Sequence, residues 1–284
     1  MIPASFDYVA PTSLVEALEA LREHGDGAKI IAGGQSLLPI LRMRMAAPEV
    51  LIDLGKVAEL RGVFDDGEGI VVGAMTRYDE FVRDDLARAH AGLLIEAVKT
   101  VADPQIRHRG TVGGALAHAD PAGDVGAPAL ALDAEFVIVG PSGQRVVPAA
   151  DFFVDLFTTA VGDDEILAAI RIPKHTGWGA HYEKFVRVVH QWSIVAVAAT
   201  VRVEDGRIAE AKVGLTNMGP TPLRARSVES ALAGCELTEE AVGAACASAA
   251  DSTHPPEDLQ GDADYRRHLA TVLTRRAVLA AAGA

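Results

Sequence analysis

Two glycine pairs, Gly33-Gly34 and Gly113-Gly114, constrain this chain more than any other feature. The first falls where a strand-like run gives way to helix-forming sequence and the second follows a β-branched residue in a Gly-rich stretch, so both read as turns at strand ends. Paired glycines permit such turns and let the main chain approach a ligand with no Cβ in between. The first pair sits in Ala32-Gly33-Gly34-Gln35-Ser36, between an apolar run at 28–32 and a helical stretch at 36–44. A helix starting near Ser36 would aim free N–H groups and a partial positive charge at the turn, which is a phosphate-binding arrangement. The alternative is an ordinary strand–helix turn with Ser36 as its N-cap. The second pair sits in Thr111-Val112-Gly113-Gly114, followed by His118, Asp120 and Asp124. Those carboxylates suit ribose or ribityl hydroxyls, and His118 is a candidate donor, but the stretch also reads as a Gly-rich connection. Neither turn matches the G-x-G-x-x-G fingerprint or the Walker loop. Two such turns in one α/β region point to a dinucleotide clamped between two subdomains.

The surrounding pattern supports an α+β chain. Residues 13–24 read as a capped helix, with Ser13 and Glu16 in capping-box spacing and Gly25 as the stop. Strands are expected at 28–32, 50–54, 70–72, 136–139, 145–147 and 165–172, with one helix opened by Thr76 and Asp79 and another at 93–101. Residues 174–179 read as a linker. Beyond it come three strands, at 182–187, 193–203 and 207–216, then three helices near 224–233, 238–250 and 262–282. A run of strands followed by a run of helices argues for a separate α+β domain.

Composition narrows the function classes. About half of the 284 residues are apolar and fewer than a quarter are charged, which suits a packed core rather than disorder. Net charge is −13 and no Lys/Arg cluster stands out, so no nucleic-acid partner is expected. The longest apolar runs are too short for a membrane span, and the first residues lack a secretory pattern, so a cytoplasmic protein is expected. The two cysteines, Cys235 and Cys246, read as buried free thiols and are too few to hold an iron–sulfur cluster.

A third stretch, 182–199, holds Lys184, Arg187 and Trp192 ahead of an apolar strand. Trp192 reads as core by default, or as cover for a flat aromatic ring. Lys184 is a candidate cofactor contact, against the alternative that it and Arg187 are solvated charges. Together with LIDL at 51–54, EIL at 165–167, EKF at 183–185 and GLTNMGPTPLRA at 214–225, these residues resemble the medium, FAD-binding subunit of the carbon monoxide dehydrogenase and xanthine dehydrogenase group.

That resemblance covers essentially the whole chain. It implies two N-terminal α/β subdomains of the PCMH, vanillyl-alcohol-oxidase-like type, at about 1–57 and 58–175. A C-terminal domain at 176–284 would follow, built of a three-stranded sheet with helices. It implies non-covalent FAD, with Ala32, Gly33, Gly34, Gln35 and Ser36 and then Thr111, Val112, Gly113 and Gly114 holding the pyrophosphate through backbone amides. Ser36 and Thr111 would add hydroxyls, Asp124 would contact the ribityl region, and Val161 and Trp192 would lie beside the flavin. It also implies a large molybdenum-cofactor subunit and a small [2Fe–2S] subunit as partners, in a dimer of heterotrimers. Electrons would pass from the partner's clusters to FAD and on to an external acceptor. No residue here would act on the organic substrate. The chain departs from the family at His190-Gln191, where a Gly-Asp pair usually stands. The rival readings are a self-contained flavin oxidoreductase and a non-catalytic nucleotide-binding module.

Overall fold

The computed structural model describes residues 2–283. Its N-terminal layer is a parallel sheet in the order β1 (Asp7–Val9), β3 (Val50–Asp53), β2 (Ala28–Ile31). Parallel neighbours need crossovers. The first holds α1 (Leu14–His24), where the Ser13 hydroxyl accepts from the Glu16 N–H and Ala17, Ala20 and Leu21 form the buried face. The second holds α2 (Leu37–Arg42), shorter than the sequence suggests, because the chain enters left-handed geometry at Arg44 with φ +58°.

The central layer is an antiparallel sheet in the order β4 (Val63–Asp65), β5 (Gly69–Gly73), β10 (Ile166–Pro173), β6 (Glu135–Gly140), β7 (Gly143–Pro148). Between β5 and β6 lie α3 (Tyr78–Arg83), α4 (Asp85–His90), α5 (Gly92–Lys99), α6 (Pro104–Arg107), α7 (Val112–His118) and α8 (Gly126–Ala131). After β7 come α9 (Ala149–Phe152) and a hairpin of β8 (Phe153–Asp155) and β9 (Thr158–Thr159).

The third sheet runs β11 (Gly179–Phe185), β12 (Val195–Glu204), β13 (Arg207–Thr216), as foreseen, and gains a two-residue edge strand, β14 (Leu223–Arg224). It is covered on one face by α10 (Arg226–Leu232) and α12 (Ala263–Ala282), against which α11 (Glu239–Ala245) packs. Its other face joins the central core: Ala196 and Ala198 pack with Ile70, Phe81 and Phe136, while Val195, Val197 and Val201 pack with Leu232, Leu273 and Val278. A strand buried on both faces explains the unbroken apolar run at 194–199.

The connection at 174–179 is structured rather than loose. His175 is buried, its N–H donates to His90 O at 3.1 Å, and the His90 ring meets the Thr176 hydroxyl at 2.7 Å. Trp178 lies edge-on to His175 and beneath Lys212 and Arg202, whose charged ends stand 5.3 and 5.8 Å from its ring. No helix among the described residues is long and apolar enough to cross a membrane.

Candidate functional site

The first glycine turn is a run of unspent donors. The backbone N–H groups of Ala32, Gly33, Gly34, Gln35 and Ser36 have no partner among the described residues; helical bonding resumes only where the Leu38 N–H donates to Gly34 O at 3.0 Å. Gly34 has φ +75°, which glycine adopts without strain and which turns the chain out of β2. The Gln35 side chain donates to Gly33 O at 3.0 Å and stiffens the turn. Ser36 is not a side-chain cap: its hydroxyl bonds to nothing in α2 and is free for a ligand. With only six residues in α2, the local amides rather than the helix dipole supply the partial positive charge at this turn.

The second turn is wired inward. Val112 N–H donates to Thr76 O at 3.0 Å, Gly113 N–H to Ala74 O at 2.9 Å, and Gly114 N–H to Thr111 Oγ1 at 3.1 Å. The sequence suggested that both turns offer amides. In the structure the second spends those three on its own chain and keeps the Thr111 hydroxyl proton to give. Its glycines serve close packing. A Cβ on Gly33 would strike Arg109 O and lie 2.8 Å from Gly110 Cα; one on Gly114 would lie 2.6 Å from Thr111 Oγ1 and 3.1 Å from Ala32 Cβ. A Cβ on Gly113 would lie 2.6 Å from Ala74 Cα. The two turns therefore meet backbone to backbone, the second buttressing the first.

Asp124 and Lys184 form a second cluster. Asp124 Oδ2 accepts from Lys184 Nζ at 2.7 Å, and Oδ1 accepts from Tyr182 Oη at 2.9 Å and Ser193 Oγ at 3.0 Å. Lys184 also donates to Thr100 O at 3.3 Å. Lys184 is not a solvated charge: its side chain is 7% exposed and that of Asp124 is 8%. Tyr182 and Lys184 share one face of β11, two residues apart, and that face is roofed by α5. Burial pushes the Asp124 carboxyl above the usual carboxylate range, against the opposing pull of Lys184, Tyr182 and Ser193. Three donors leave about one of a carboxylate's four acceptor directions for a ligand.

The remaining candidates are peripheral to these clusters. Val161 is partly buried against the central core, and its N–H meets Thr159 Oγ1 at 3.3 Å. Asp120 shapes its own turn, accepting from the Ala122 N–H at 2.9 Å. His118 is half-buried beside Phe157, and burial lowers its pKa. Trp192 is 61% exposed, in a turn that also displays Val188 and Val189, so it is not core. The base of that turn is held by Asn217 Nδ2, donating to Ser193 O at 2.9 Å, and by buried Arg266, donating to Ile194 O at 2.5 Å. Trp192→Ala should therefore change unfolding stability by no more than about 0.5 kcal/mol; a loss several times larger in urea melts would mean the indole is packed. Sequence reasoning passed over Tyr182, Ser193 and Asn217. The i, i+2 spacing of Tyr182 and Lys184 was a usable signal; Asn217 gave none, since its partners lie more than twenty residues away.

Comparison with known proteins completes the picture. Residues 4–175 match the family described as the FAD binding domain in molybdopterin dehydrogenase, and residues 180–281 match the CO dehydrogenase flavoprotein C-terminal domain. The carbon monoxide dehydrogenase medium chain of Hydrogenophaga pseudoflava is 42% identical, over 99% of this chain and 98% of its own. The glyceraldehyde dehydrogenase medium chain of Sulfolobus acidocaldarius is 34% identical, over 98% of each. The solved carbon monoxide dehydrogenase of Hydrogenophaga pseudoflava that lacks the Mo-pyranopterin moiety superposes with a TM-score of 0.96 at 43% identity, covering 100% of this chain and 99% of its counterpart.

Proposed function

Because this chain belongs to the medium, FAD-binding subunits of the carbon monoxide dehydrogenase and xanthine dehydrogenase type of molybdenum hydroxylase, we propose that it is the relay through which such a complex hands electrons to an external acceptor. In this reading the electrons come from [2Fe–2S] clusters of a small partner subunit, and a large partner carries the molybdenum cofactor. The assembly is a dimer of heterotrimers in the cytoplasm. Residues 1–175 form the FAD-binding domain, with subdomains at about 1–57 and 58–175, and 176–284 form the C-terminal domain.

The observation that carries the reading is the run of five unpartnered N–H groups from Ala32 to Ser36, pressed against the second glycine turn. These residues fit a dinucleotide diphosphate: amides and the Ser36 hydroxyl face the anion, and Thr111 adds a second hydroxyl. Bound FAD supplies chemistry that accepts single electrons and passes on one or two. The chain's own residues bind and orient. Asp124 keeps one acceptor direction for a ribityl hydroxyl while Lys184 balances its charge. Val161 gives an apolar wall, and exposed Trp192 shields one side of the flavin from solvent.

The test is the visible absorption of the purified chain with and without added FAD. Flavin bands, with FAD released by heat or acid, are the expected result. A chain that retains no flavin after reconstitution, alone or with its partner subunits, would remove the basis of this reading.

A further inference from the structure

Tyr78 opens α3 and is registered to the second glycine turn: its N–H donates to Gly110 O at 3.0 Å, and Arg77 bridges to Thr111. Its ring is the surface on which Gly110 lies, since a Cβ there would come 3.0 Å from both Cδ2 and Cε2. Gly33 approaches Gly110 Cα as well, so the Gly110 main chain touches both the first turn and the phenol.

The side chain is only 5% exposed, yet its hydroxyl makes no hydrogen bond to any described residue. A buried hydroxyl without a partner is costly, and buried tyrosines ordinarily place the oxygen where something meets it. The oxygen is also not sealed. Among the described residues, Thr274 Oγ1 is the one side-chain polar atom both shut off from solvent and unpartnered. Tyr78 Oη therefore opens onto space that a ligand or water reaches. Burial raises its pKa, and so does the charge of Asp124, which places the hydroxyl in the field of the Asp124–Lys184 cluster.

We propose that Tyr78 Oη donates a hydrogen bond to an acceptor on the flavin half of bound FAD, a ring carbonyl or nitrogen or a ribityl oxygen. The inference rests on the FAD site proposed above. The flavin half is favoured because the diphosphate is served by the 32–36 amides. The Gly110 main chain lies between those amides and Tyr78, and the phenol sits on the side of Asp124 and Lys184.

Tyr78→Phe removes one oxygen and keeps the ring packed on Gly110. The full chain, stripped of flavin, is titrated with FAD and separately with ADP, and melted in the apo form. The dissociation constant for FAD should rise about tenfold, as for loss of one buried hydrogen bond, with a shift in the visible bands. The ADP constant and the apo melting temperature should stay unchanged. Equal FAD affinity and spectrum in both proteins would overturn this inference alone. So would equal weakening of FAD and ADP, or weakening of ADP only. A drop in apo melting temperature would reveal a partner within the chain and overturn it too. A wild-type chain that binds no FAD would overturn the site reading and this inference together.

Discussion

Gly33→Val should give a chain that no longer retains FAD. The added Cβ would drive into Arg109 O and come within 2.8 Å of Gly110 Cα. Neither neighbour can give. The N–H groups of Arg109 and Gly110 both donate to Ile106 O, at 3.0 and 2.7 Å, and Gly110 O is held by the Tyr78 N–H. Overpacking of this kind costs about 1–3 kcal/mol, so the fold survives by moving the first turn outward. That movement separates the convergent amides of 32–36 from the Thr111 hydroxyl, and FAD affinity should fall about a hundredfold or more, the loss of two or more charge-assisted hydrogen bonds. Gly67→Ala is the matched control. Gly67 lies at positive φ, +96°, where Gly33 does not, but a Cβ there meets nothing within 4 Å. Its cost is about 1 kcal/mol of backbone strain with FAD binding untouched. Flavin titration of both variants decides the matter: wild-type affinity in Gly33→Val would mean the contact between the turns is irrelevant to the cofactor.

The two turns also mark how far local sequence reaches. Both read as the same device, a glycine pair at a strand end, but only the first follows a strand; the second lies in the first turn of α7, behind the Thr111 N-cap. What the sequence does not carry is where each N–H goes. The acceptors that use up Val112 and Gly113 are Thr76 O and Ala74 O, more than thirty residues earlier, and no pattern around 111–114 announces them. Lys184 shows the same limit. Alternation along β11 puts it with Tyr182 on one face, but whether that face meets water depends on α5, some ninety residues upstream. The long amphipathic and fully buried elements, α1, β12 and α12, were legible because their own periodicity or apolar run defines them. The β8–β9 hairpin and β14 were not, since two or three residues hold no period. Trp192 misleads in the opposite direction: an indole before an apolar strand suggests core, yet burial begins only at Ser193, after the indole and two residues before β12.

Lys184→Met should be the most damaging change in the C-terminal sheet. It strands Asp124, whose side chain is 8% exposed, without its counter-ion, and breaking one side of a buried pair costs about 3–5 kcal/mol. The deficit should depend on pH with a defined sign. Burial already holds the folded-state pKa of Asp124 above the ordinary carboxylate value, and both contributions from Lys184 pull it down. Without the lysine it climbs further. A carboxyl whose pKa is raised by folding adds stability below its unfolded pKa, near 4, and loses it as pH rises through the folded value. The variant should therefore lie closest to wild type in acid and fall away toward neutrality. Urea melts at pH 5 and pH 8 read this directly, and an equal deficit at both would mean Asp124 is not the group left stranded. Adding Asp124→Asn should recover much of the loss, because the amide oxygen still accepts from Tyr182 and Ser193 with no charge to bury. Asp124 lies in the segment that follows α7, so the pair ties β11 to the second glycine turn. Stability should return in the double variant while flavin retention stays low, because the amide no longer offers the spare carboxylate acceptor to the ribityl chain. A double variant that is both stable and fully loaded with flavin would remove the direct contact between Asp124 and FAD.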